Sequence, residues 1–215
     1  MPVFFAGSIG APGVLLDTCL AFIAFSMAAS AIYIFNDYRD IGADREHPVK
    51  RERPLASGTV SVSAALTLAA VLAIAGGGLM AWLSLPALAV LGIYFGLNVS
   101  YSLWLKHVAI IDIAIISLGF VLRLFIGSIV AGIPLSSWIV IMTFLLALFI
   151  ALAKRRDDMI LYLETGKRAR PVIDGYNLQM IDSAMAIMAS VVIVAYLLTR
   201  LQQPSPNACR ANMST

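Results

Sequence analysis

Asp37, Asp40 and Asp44 follow one another at intervals of three and four residues, directly after an apolar run that ends at Phe35, with Asn36 beside the first of them. On a helix this spacing lines all three carboxylates along one face. Carboxylates about 6 Å apart repel by roughly 3 kcal/mol at an effective dielectric near 20, more than an exposed ion pair returns, so a cation is expected among them. Carboxylate and side-chain carbonyl oxygens are hard ligands that favour Mg2+, which keeps several waters and completes its shell with substrate phosphates. Residues 36–53 hold five acidic and five basic side chains. The bases that follow the stripe, Lys50, Arg51 and Arg53, could supply charge-assisted hydrogen bonds to the remaining phosphate oxygens. The competing reading is a solvated loop whose acids pair with Arg39, Arg45 and Lys50.

Three further sites could carry charge chemistry. Lys154, Arg155 and Arg156 form a basic triad, read either as an anion site for a second phosphate or as the complement of a helix C-terminus. Arg123 stands inside an otherwise apolar run. It should face inward, because a charge at membrane depth is costly and by default marks a polar interior or a substrate path. Asp112, eleven residues earlier and about 16 Å along the axis of one helix, is a poor partner for it. Lys106 and Asp112 are expected either to border the phosphate site or to anchor the membrane interface. His47 and His107 read as loop residues, and Cys19 and Cys209 as unremarkable thiols.

The elements that must position these groups are membrane spans. Of the 215 residues 60% are hydrophobic and 13% charged, with a mean hydropathy of +0.91, outside the range of a soluble domain. Neither Pro54 to Leu105 nor Leu124 to Ala153 contains a charged residue or histidine, and each run accommodates two spans of about 20 residues. Hydropathy places six helices near 13–36, 60–83, 86–105, 109–131, 136–153 and 178–199. Gly76, Gly77 and Gly78 suggest close helix packing. The connections 37–59 and 154–177 hold five and six Lys or Arg residues, and the two tight turns marked by Pro86 in SLPAL and by AGIPLSS hold none. The positive-inside rule then puts both charged connections and the Lys106 turn on the cytoplasmic face of a cell (inner) membrane, with both termini outside. No basic segment precedes Met1 to Gly10, so no cleavable signal peptide is expected. The net charge of +3, held in loops, suits anionic ligands and a lipid bilayer rather than nucleic acid.

NDYRDIGAD fits the NDxxDxxxD motif of the UbiA superfamily of intramembrane prenyltransferases, and the chain from Thr18 to about Thr199 resembles that family throughout. The resemblance implies an all-α, polytopic transmembrane helix bundle in which Asn36, Asp37, Asp40 and Asp44 hold Mg2+ and a substrate diphosphate. Most aromatic prenyltransferases of the superfamily carry a second motif, DxxxD. Here the corresponding stretch reads AKRRDDMILYLETGKRARPVIDGY, with Asp157 and Asp158 adjacent. Together with HPVKRERPLASG and YSLWLKHVAIIDIAIISLGFVLRL, it is similar to the branch that makes decaprenyl-phosphoryl-phosphoribose, transferring 5-phosphoribose from phosphoribosyl diphosphate to a polyprenyl phosphate. That reading makes Arg45, Lys50, Arg51, Arg53, Lys106, Arg123, Lys154, Arg155 and Arg156 substrate-binding candidates. The acceptor phosphate is already ionised, so no strong general base is required.

Family members usually have nine spans and a basic segment before the first. MPVFFAGSIG looks instead like the tail of a first helix, and RLQQPSPNACRANMST is polar. The chain is therefore expected to be truncated at both ends, with six of the nine spans in a partial domain over 1–199 and a disordered tail over 200–215. Alternatives are an aromatic prenyltransferase of quinone or haem synthesis taking a prenyl diphosphate and an aromatic acceptor, a non-catalytic remnant, and a transporter. The missing DxxxD argues against the first of these. The absence of an acid at mid-span argues against the last. Self-association into a homo-oligomer is compatible with each.

Overall fold

The computed structural model describes residues 12–46, 49–166 and 171–202. Among these the chain is helical, with no strand, and six helices are long and apolar enough to cross a membrane. It is an integral membrane protein of all-α class. The chain divides into two compact units, 1–135 and 136–215.

The first unit contains α1 (Pro12–Glu46), α2 (Val62–Leu83), α3 (Leu85–Leu103) and α4 (Ile111–Ala131), with 3-10 turns at Lys50–Glu52 and Leu105–His107. Local chemistry sets the boundaries. Ser61 and Ser84 cap α2 and α3, each accepting a hydrogen bond from the backbone three residues on, and Gly132 ends α4 in the left-handed conformation (φ 65°) that costs glycine least. Helix α1 lies against α2, α3 and α4. The seam is built from small residues: Ala21, Ala24 and Ala28 are buried beside Met80, Leu91, Tyr94 and Ile126. A Cβ on Gly76 would stand 2.7 Å from the Ala24 carbonyl oxygen, whereas nothing lies within 4 Å of one on Gly77 or Gly78. The expected glycine packing is therefore real at Gly76 alone. Backbones that approach this closely gain dispersion contacts where lipid offers no hydrophobic drive between helices.

The second unit pairs α5 (Ser137–Thr165) with α6 (Leu178–Gln202), joined through a 3-10 turn at Pro171–Gly175. Ala147, Ala151, Leu152, Val172, Ile173 and Ile181 are buried there, while Ile187 and Val194 are exposed, as lipid-facing side chains are.

Two sequence expectations need correction. The stretches 37–59 and 154–177 are not wholly connections: α1 continues to Glu46 and α5 to Thr165, so the charged groups ride on helices that begin as spans. Hydropathy marks where lipid contact stops, not where the hydrogen-bond ladder stops. After Pro12 at its start, the sequence offers α1 no further proline until Pro48, which lies outside the described residues. Likewise the 154–156 triad sits within α5, nine residues or more before its end, so dipole complementarity at a C-terminus is not its role.

Candidate active site

The last three turns of α1 present the stripe, and basic side chains fold onto it from two directions. From the 3-10 turn at Lys50–Glu52, Arg53 returns to α1, and its Nη1 donates to Asp37 Oδ1 at 2.8 Å and to Asp44 Oδ2 at 2.9 Å. One guanidinium nitrogen thus draws together the carboxylates of two residues whose backbones are about 10.5 Å apart along the helix axis by rise alone. The turn that aims it is held by the backbone bond from Arg53 N to Lys50 O and by the Arg45 side chain, whose Nε donates to Ala56 O at 3.1 Å. Leu55 and Ala56 are buried, which pins the returning strand of chain against the bundle. From the turn after α3, Lys106 pairs with Asp40.

Asp40 has a second partner. Asn36 Nδ2 donates to Asp40 Oδ2 at 3.3 Å, and Asn36 Oδ1 accepts from the hydroxyl of Ser102 at 3.0 Å. The carboxylate fixes the sense of the amide, because turning it round would set Oδ1 against a negatively charged oxygen. The Asn36 carbonyl thus accepts from Ser102, and the Asn36 amide serves Asp40 as a donor. Ser102 is 2% exposed and was missed by sequence reasoning. Its only signal is a hydroxyl in the last turn of an apolar helix, four residues from Lys106.

The structure therefore gathers Asn36, Asp37, Asp40, Asp44, Arg53 and Lys106. It resolves the anticipated repulsion among the acids with two cations from the chain itself. Among the described residues no three His, Cys, Asp or Glu side chains form a metal-holding group, so the stripe is not a preformed three-carboxylate cage. The donor set still suits Mg2+: Asp37 and Asp44 already converge on one positively charged atom, and Mg2+ is commonly held by one or two carboxylates plus substrate phosphates. Lys50 opens the 3-10 turn, while Arg45 and Arg51 are exposed. Asp112 is fully buried in the first turn of α4, where negative charge suits the helix N-terminus. Just before it, Ile110 adopts φ 70°, a strained conformation for a β-branched residue. His107 is exposed and His47 lies outside the described residues, as does Cys209; Cys19 is exposed.

Arg123 lies away from the acids, in an aromatic cage. Its Cζ sits 5.3 Å from the Phe25 ring centroid, 5.7 Å from Tyr94 and 4.8 Å from Phe120, and Nη2 donates to Tyr94 Oη at 3.2 Å. Its charge is offset by ring faces, while its buried Nε has no hydrogen-bond partner. In the second unit Lys154 is exposed, Arg155 is 1% exposed and donates to Asp158 at 3.0 Å, and Arg156 pairs with Asp182 of α6 at 2.7 Å. The triad thus separates into one exposed cation and two engaged in pairs.

The model of the UbiA prenyltransferase family matches residues 1–207. The chain belongs to that family. Among curated UbiA relatives, it is 37% identical over 186 residues to the decaprenyl-phosphate phosphoribosyltransferase of Corynebacterium glutamicum, covering 86% of this chain and 56% of that protein. It is 36% identical over 185 residues to the protein of the same name from Mycobacterium tuberculosis, covering 85% and 61%. The chain thus spans a little over half the length of these relatives. A UbiA homologue from Archaeoglobus fulgidus, bound to DMAPP and Mg2+, superimposes with a TM-score of 0.78 at 17% identity, covering 96% of this chain and 74% of that one. The UbiA fold expected from the motif is therefore the fold observed.

Proposed function

We propose that this chain forms the UbiA-type bundle of a Mg2+-dependent membrane transferase that moves 5-phosphoribose from phosphoribosyl diphosphate to a polyprenyl phosphate. The observation that carries the reading is the rim at the end of α1, where three acids and two bases interleave. Such a rim suits a metal-bound diphosphate better than a simple cation or anion site would. The choice of donor and acceptor is supported by relatives named decaprenyl-phosphate phosphoribosyltransferase. On this reading the rim faces the cytoplasm of the cell membrane, in keeping with the placement of Lys and Arg.

Asp37 and Asp44, with Asp40, would hold Mg2+, whose chemistry when bound is to neutralise charge on the departing diphosphate. Arg53 and Lys106 donate to phosphate oxygens and stabilise the negative charge that grows there as the anomeric C–O bond breaks. Asn36, locked by Ser102, holds Asp40 in one orientation. The acceptor phosphate attacks as an anion, so no side chain need remove a proton. Within the second unit, Lys154 is the exposed member of the triad and the candidate there for binding a phosphate. Arg155, buried against Asp158, supports the helix from which Lys154 projects.

A second reading is transfer from a prenyl diphosphate to an aromatic acceptor; its donor class is the one bound, with Mg2+, in the A. fulgidus homologues. Membranes containing the chain, incubated with labelled phosphoribosyl diphosphate, polyprenyl phosphate and Mg2+, should yield label in the lipid extract. Lys154→Gln should raise KM for the lipid phosphate more than for the sugar donor. Turnover of a prenyl diphosphate with an aromatic acid, and none of phosphoribosyl diphosphate, would overturn the first reading in favour of the second.

A further inference from the structure

We propose that Arg53 is an internal counter-ion that holds the position between Asp37 and Asp44 until metal arrives, and that its transfer from carboxylate to phosphate makes metal and diphosphate binding mutually dependent. The inference rests on the diphosphate reading above and concerns how that site is regulated.

The geometry sets up the exchange. A single nitrogen, Nη1, contacts both acids at 2.8 and 2.9 Å. A Mg2+ ion bound to the same two oxygens, at about 2.1 Å from each, would claim the space and the lone pairs that this N–H group now uses. Both cations cannot occupy it. The departure of Arg53 is feasible because its side chain is 39% exposed, and among the described residues its backbone bonds stay within the 50–57 turn, Arg53 N to Lys50 O and Ser57 N to Arg53 O.

Charge supplies the direction. Three carboxylates and the two cations paired with them, Arg53 and Lys106, sum to about −1, and Lys50 also acts electrostatically on Asp37. Mg2+ brings the total to about +1, the released guanidinium included, and a diphosphate is then the complementary ligand for metal and guanidinium together. A guanidinium can grip phosphate oxygens with two parallel bonds, where here one of its nitrogens serves two acids. Metal therefore prepares the diphosphate site by freeing Arg53, and by linkage the diphosphate tightens metal by the same factor. Without diphosphate, Arg53 opposes the metal.

This makes a prediction of sign. If Arg53 competes with metal, removing its charge strengthens metal binding in the absence of diphosphate; if it merely positions the acids, removing it weakens binding. The test uses Mn2+ as a paramagnetic probe on the purified chain in detergent micelles, with and without inorganic pyrophosphate and corrected for the Mn2+–pyrophosphate complex. Arg53→Gln should bind Mn2+ alone about tenfold more tightly than the wild type, and the enhancement by pyrophosphate, about tenfold in the wild type, should largely vanish. Arg53→Lys, which keeps a cation between the acids, should stay near the wild type for Mn2+ alone. A second measurement needs no variant: arginine-directed modification mapped by mass spectrometry should label Arg53 faster when Mg2+ is added, and slower again when pyrophosphate follows. Unchanged or weakened Mn2+ binding by a folded Arg53→Gln protein would overturn the exchange and leave the functional reading intact. So would Arg53 labelling indifferent to Mg2+. A wild-type chain that binds neither Mn2+ nor pyrophosphate would overturn both.

Discussion

Arg123 offers the sharpest test of how this bundle tolerates charge, because the cage around it can be weakened from either side. Tyr94→Phe keeps the ring that packs 4.6 Å from Phe25 and removes only the hydroxyl that accepts from Arg123 Nη2 at 3.2 Å. Hydrogen bonds to charged groups contribute about 1.5–3 kcal/mol in soluble proteins, but interhelical bonds in a membrane average nearer 0.6, with a ceiling about 1.7. The contact is long, so a loss of about 1 kcal/mol is expected. It leaves a guanidinium whose Nε is already without a partner with one acceptor fewer. Arg123→Met removes the charge altogether. It forfeits three ring contacts worth about 0.5–2 kcal/mol each and removes a burial cost of roughly 2.5–3.5 kcal/mol, so the two nearly cancel. The double variant should then be no less stable than Arg123→Met, since the hydroxyl has nothing left to serve, which gives a coupling energy of about 1 kcal/mol. Reversible unfolding in mixed micelles, followed by circular dichroism, measures all four proteins. A Tyr94→Phe cost equal in both backgrounds, or a loss above about 3 kcal/mol for Arg123→Met, would refute the cage argument. An Arg123→Met protein that is stable yet inactive would return Arg123 to the substrate path.

The three consecutive glycines should part company: Gly76→Ala forces a Cβ to within 2.7 Å of a backbone oxygen and should cost about 1–3 kcal/mol. Gly77→Ala and Gly78→Ala meet nothing and should gain up to about 1 kcal/mol from helix propensity, so equal shifts at all three in the same unfolding assay would contradict the packing described. Ser102→Ala removes the hydroxyl that fixes the Asn36 amide, and Mn2+ affinity should fall about tenfold with helix content unchanged. Wild-type affinity in that variant would mean that Asn36 holds Asp40 without help.

What could be read in the sequence was whatever depends on neighbours along the chain. All six spans were legible because lipid contact demands runs of about 20 apolar residues. The facing of Asp37, Asp40 and Asp44 was legible because i, i+3, i+7 is a helical spacing. Harder to see was that Arg53 crosses back over sixteen residues to bridge two of those acids, or that Lys106 and Ser102 reach Asp40 and Asn36 from 66 residues away. Those partners depend on how α3 and the 50–57 turn lie against α1, and no local pattern encodes that. Arg123 shows the same limit: its inward orientation followed from cost, but its partners are rings contributed by three helices rather than an acid. At Lys154, Arg155 and Arg156 composition suggested one anion site, whereas burial and pairing treat the three residues differently.

The continuity of α1 from its lipid-embedded turns to Glu46 has a consequence for how genes of this kind can change length. Each residue of a helix adds about 100° of rotation and 1.5 Å of rise, so one codon inserted or deleted between Ala24 and Asn36 would turn the whole acidic stripe away from Arg53 and Lys106 while its residues remained present. The short connection from Gly132 to Ser136, outside any helix, transmits no such rotation to the stripe. Among descendants of this sequence, gaps should therefore collect in connections of that kind and be purged from α1, even where the amino acids of α1 are freely exchanged. The helix conserves a phase angle before it conserves a composition.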